Sequence, residues 1–123
     1  MMRVSDEEFD EIVAAARASL PEQFKHVKNV AILVEDEPSP EQRAQLHLVD
    51  GQTLYGLYEG VPLARRQGTL KVLPDKITLF KGPLEASVQN LAELKHAVLH
   101  TLWHEIAHYY GLDHPRIREL EGK

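Results

Sequence analysis

The sequence predicts a single α+β domain over residues 1–123, a small sheet packed on an N-terminal helix and a long C-terminal helix. Three observations lead there. The chain has 123 residues and no cysteine, a length that buries about two-thirds of the unfolded surface in one core without covalent staples. Apolar residues recur at helical spacing near both ends. Between the ends lie three short β-rich runs, separated by stretches carrying proline and glycine.

The first helix is expected over 6–20. Ser5 and Glu8 form the Ser-x-x-Glu capping-box pattern, and Phe9, Ile12, Val13, Ala16 and Leu20 follow at helical spacing until Pro21 stops them. The run 27–36 reads as a strand, and its apolar centre, Val30 to Val34, predicts cover on both faces. Residues 37–52 are polar, carry two prolines and a glycine, and read as loop. A second strand is expected over 53–60, another long connection over 61–75, and a third strand over 76–85, broken at Gly82-Pro83. Connections this long in a small domain are often functional and could flank a cleft, or are disordered or merely solvated links.

The last helix is expected to start after Ser87 and run through Tyr110. Leu91, Val98, Leu102, Ile106 and Tyr109 share one side. His96, His100, His104 and His108, each four residues from the next, share the other. The helix thus has an apolar back and a histidine front.

Composition narrows the chemistry. The absence of cysteine excludes disulfides, thiolate metal sites and cysteine nucleophiles. Any metal must be held by imidazole and carboxylate. A formal net charge of −5 without a basic stripe excludes nucleic acid as the expected partner. No apolar run approaches the ~20 residues that span a bilayer. The N-terminus turns acidic too early for a signal peptide. The expected location is therefore the cytoplasm, with no membrane partner; the oligomeric state is not readable.

The segment 100–120, "HTLWHEIAHYYGLDHPRIREL", carries the strongest signal. His104 and His108 are one helical turn apart, so two imidazoles can meet one ion. Glu105 is offset by about 100° around the helix, which places its carboxylate beside such an ion. Gly111 accepts the left-handed conformation that ends a helix. Pro115 keeps His114 extended, so that a third imidazole can return to the ion. The whole pattern is H-E-x-x-H-x-x-G-x-x-H, far rarer by chance than H-E-x-x-H alone.

This motif resembles the extended zinc-binding helix of zincin metallopeptidases of the metzincin type. The wider chain is similar to a family of small bacterial zincin-like metallopeptidases. The residues that carry this are the helix ending in "SLP", "LYGLYEGVPL", "LPDKITLFKGPLE" and "HTLWHEIAHYYGLDH", which together cover roughly 9–114. The resemblance implies a minimal zincin-like domain with a small twisted mixed sheet and a metal-binding last helix. It implies Zn²⁺ held by His104, His108 and His114. It also implies a zinc metallopeptidase that hydrolyses peptide bonds through zinc-activated water, with Glu105 as general base and then acid. Its partner would be a peptide or protein substrate, paired along an edge strand for which residues 76–82 are the candidate. The sequence departs from the resemblance in two respects: its methionines are Met1 and Met2, with none after His114, and it is expected to have no room for the second lobe that closes the cleft in larger zincins.

Other readings stay open. The chain could be a zinc-containing peptide- or protein-binding module with little or no hydrolysis, a closed structural zinc site, or a protease that depends on a partner. Nickel, cobalt or iron could occupy the same donors. Asp113 is a less favoured third ligand than His114. His100 is expected to be solvated, and His26, His47 and His96 carry no role. Tyr109 is expected in the core, and Tyr110 is ambiguous.

Overall fold

In the computed structural model, residues 1–21, 30–46, 54–60 and 75–109 are described. In chain order the elements are α1 (Asp6–Ala18), β1 (Val30–Glu35), α2 (Pro40–Gln45), β2 (Gly56–Glu59), β3 (Asp75–Phe80), α3 (Lys81–Ala86) and α4 (Leu91–Tyr109). The α+β class and the mixed sheet follow the sequence reading.

Helix α1 starts where its capping box predicts. The Ser5 hydroxyl accepts from Glu8 N at 3.1 Å, and the Glu8 carboxylate accepts from Ser5 N at 3.4 Å, satisfying two helix-end donors reciprocally. Phe9, Ile12 and Ala16 are buried, and this stripe lies against α4. Phe9 is fully buried. Phe9→Ala is therefore expected to destabilise the protein by about 3–5 kcal/mol, from lost burial and the cavity left behind; denaturant unfolding measures it.

The sheet has the order β1-β3-β2. Strand β3 is central, parallel to β1 with Ile32 opposite Ile77, and antiparallel to β2 with Tyr58 opposite Ile77. Ile77, Thr78, Leu79 and Phe80 are all buried, as a strand covered on both faces requires. This corrects two expectations. The strand buried on both faces is β3, whereas in β1 Leu33 is 43% exposed while Val30, Ile32 and Val34 pack on the core. A central strand has its main-chain groups engaged on both sides, so 76–82 cannot serve as a free edge. Among the described strands, β2 and β1 are the edges.

Two short helices replace expected loop or strand. Helix α2 starts at Ser39, whose hydroxyl accepts from Gln42 N at 3.1 Å while Gln42 Oε1 accepts from Ser39 N at 2.8 Å. Pro40 occupies the first turn, where no donor is needed. Gln42 Nε2 then reaches Glu59 at the end of β2, at 3.2 Å. Helix α3 follows β3 directly, with Gly82 and Pro83 in its first turn. Its buried Glu85 accepts from Val4 N at 2.8 Å through Oε2, and its main-chain carbonyl accepts from Met2 N at 3.1 Å.

Ser87 closes α3 as its C-cap, so the long helix begins later than expected. Asn90 caps α4 by accepting from Glu93 N at 2.9 Å, and Glu93 accepts from Gln89 N at 2.8 Å. Nineteen residues follow, a length of roughly 28 Å. One side of α4 meets α1, and another meets β2 and β3. Leu94, Val98, Leu102 and Ile106 form the buried row, joined by Trp103, Ala107 and Tyr109. Leu91, expected in that row, is 39% exposed at the first turn. No helix among the described residues is long and apolar enough to cross a membrane.

Candidate metal centre

The histidine face of α4 changes character along its length. His96 and His100 are exposed, whereas His104 and His108 are half-buried beside β2. The rings of His104 and His108 sit 4.6 Å apart, centroid to centroid, at 69°. His100 stacks on His104 at 6.3 Å and 29°. The i, i+4 spacing delivers the expected pair.

Glu105 is the buried member of the group, 8% exposed. Its Oε1 accepts from the main-chain N–H of Tyr58 at 2.9 Å. The same oxygen lies 3.3 Å from His108 Nδ1. One potential ligand atom each from His104, Glu105 and His108 falls within 4.8 Å of the others. The 100° offset on the helix therefore does not carry Glu105 away from the imidazoles: it reaches across one turn to His108. Nor is Glu105 an ordinary surface carboxylate.

This contact raises the pKa of His108 above the usual imidazole value, through its hydrogen bond to Glu105 and the attraction of the carboxylate, against a lowering by burial. A cation arriving at His108 must displace that more firmly held proton.

Strand β2 brings the second wall. Phe80 N donates to Tyr55 O at 3.0 Å. In this register Leu57 and Glu59 then turn their main-chain groups toward β3, and Gly56 and Tyr58 turn theirs outward. Gly56 packs on α4: a Cβ there would lie 2.6 Å from Thr101 Cγ2 and 3.4 Å from Glu105 Cγ. A cleft of about 270 Å³ opens between the start of β2 and the histidine face. Leu54, Tyr55, His100, Thr101, His104 and Glu105 line it. A larger groove of about 510 Å³ between α1 and α4 includes His96 but neither His104 nor Glu105.

The structure thus brings together three of the four residues expected to act, His104, Glu105 and His108. His114 lies outside the described residues, as do Tyr110, Gly111, Asp113, His26 and His47. His100, expected to be solvated, is exposed and also borders the cleft. Tyr109 is buried, as expected. The sequence reading missed the role of β2 in holding Glu105. Its signal was Gly56 inside a strand pattern, which marks a close approach by another element.

The model of a family described as zincin-like metallopeptidases matches residues 27–123, a span that contains the whole H-E-x-x-H-x-x-G-x-x-H segment. Among solved structures, a conserved hypothetical protein of T. thermophilus is similar at 25% identity and a TM-score of 0.57. That similarity covers 96% of this chain and 98% of the other. No curated protein matches the chain.

Proposed function

The chain belongs to the zincin-like metallopeptidase family, and on that premise we propose that it is a zinc-dependent peptidase. In this reading His104, His108 and His114 hold the ion, and Glu105 handles the protons. The observation that carries it is the group of His104, Glu105 and His108, gathered within 4.8 Å, of which His104 and Glu105 line a cleft. The donors fit the metal, because imidazole nitrogen and carboxylate oxygen are ordinary zinc ligands and the site needs no thiolate. When bound, the ion supplies an electrophile that acidifies water and polarises a carbonyl.

The chain's own residues do the rest. Glu105 takes a proton from the attacking water on its carboxylate and later gives it to the leaving amine nitrogen. Its burial keeps that carboxylate in one place. The outward main-chain groups of Gly56 pair with an extended peptide, giving affinity without strict side-chain choice. The cleft beside Tyr55 and His100 takes one side chain of that peptide.

Chelation tests the reading. Incubation with a mixed peptide pool is expected to yield new termini by mass spectrometry, to stop after chelator treatment, and to resume on adding Zn²⁺. Cleavage that continues in metal-stripped protein would remove the proposal. One observation favours the rival, a zinc-containing peptide-binding module: Glu105 Oε1 already serves both Tyr58 N–H and His108. That rival predicts peptide capture without new termini.

A further inference from the structure

We propose that strand β2 is the positioning device for Glu105, with Gly56 setting its approach and the Tyr58 main-chain N–H holding the carboxylate. This rests on the peptidase reading above and adds residues that the motif does not contain. Gly56 is not glycine for conformational reasons, since Gly60 is the described glycine with positive φ. It is glycine for space. A Cβ at 2.6 Å from Thr101 Cγ2 cannot be accommodated without moving the strand or the helix, because a β-branched side chain within a helix has few rotamers to retreat into. Moving them apart would break the 2.9 Å bond from Tyr58 N to Glu105 Oε1.

Tyr58 is itself anchored from the other end. Its hydroxyl donates to Asp75 Oδ2 at 2.7 Å, and its ring meets that of Tyr109 edge-on at 6.1 Å. Asp75 is 5% exposed and begins the central strand. The donor N–H is therefore fixed by the sheet centre and by the last turn of α4. Both contacts to Glu105 fall on Oε1, which assigns holding to that oxygen and proton transfer to Oε2. A carboxylate held by one oxygen keeps the other at a constant position relative to the two imidazoles, and misplacement by about an ångström can cost roughly 100-fold in rate.

The probe is the Tyr58 main-chain amide in isotope-labelled full-length protein. In the wild type its proton is expected far downfield and slow to exchange. Glu105→Ala is expected to move it upfield and speed its exchange. Gly56→Ala is expected to reproduce that change with Glu105 intact, to leave bound zinc unchanged, and to lower kcat roughly 10- to 100-fold. The double variant Gly56→Ala, Thr101→Ser removes the clashing Cγ2 and is expected to restore both the amide signal and kcat; it also decides the matter if Gly56→Ala alone fails to fold. An amide indifferent to Glu105→Ala overturns the proposal. So does a Gly56→Ala protein that keeps the signal and full kcat, or one that loses kcat with the signal unchanged. If the wild type cleaves nothing, the peptidase reading fails, while the amide measurements still decide whether β2 holds Glu105.

Discussion

Glu105→Gln is expected to lower kcat for peptide cleavage by roughly 10²–10⁴-fold, the range for loss of a positioned proton-transfer group, with bound zinc and KM little changed. The substitution keeps shape and an acceptor oxygen. Tyr58 N–H therefore retains its partner, and the 8% exposed site gains no cavity. What is lost is the carboxylate oxygen that accepts the proton of the attacking water. Steady-state kinetics on one cleaved peptide, together with elemental analysis of the same samples, make the check. A fall in kcat accompanied by loss of metal would assign Glu105 to holding the ion instead. Full activity in the Gln variant would exclude it from proton transfer.

His104→Ala and His108→Ala should each weaken zinc binding by more than 100-fold, beyond the roughly 10–100-fold that loss of an outer partner costs. Each removes a donor from a set gathered within 4.8 Å, and among the described residues neither helix nor sheet offers a replacement imidazole at that height. His100 stacks on His104 at 6.3 Å but is exposed, so His100→Ala is expected to change affinity only a few-fold. His114→Ala should match the two helix variants if the third imidazole closes the set. Competition with a chelator of known affinity measures all four. Thermal unfolding gives a second readout, since a ligand present at 100 times its dissociation constant adds about 2.7 kcal/mol to the folded state, and the two helix variants should lose that increment.

Much of this site was legible because its rules are local. Four-residue spacing put His104 and His108 on one face, and the Ser5–Glu8 pattern placed the start of α1. The same pattern stood at Ser39–Gln42, yet Pro38 and Pro40 made the segment read as loop. Proline in a first turn is compatible with helix, and the same reasoning explains α3 with its Pro83. The apolar run in β1 resembled a strand covered on both faces, but the covered strand is β3, whose centrality depends on pairing between distant segments. No pattern of side chains shows that. The hold on Glu105 was invisible for a different reason: its donor is a main-chain N–H, which every residue but proline possesses, and only the sheet register reveals which one points outward.

The strand order has a consequence for how the protein is made. Strands β1 and β2 both pair with β3, so during synthesis neither can find its sheet neighbour until residues 75–80 have emerged. Until then the segment Val30–Val34 travels as an unpaired, β-prone apolar stretch, the kind that seeks other chains or a chaperone. The histidines of α4 follow within a few dozen residues. Sheet closure and the gathering of the histidine face thereby fall within one short stretch of translation, residues 75–108.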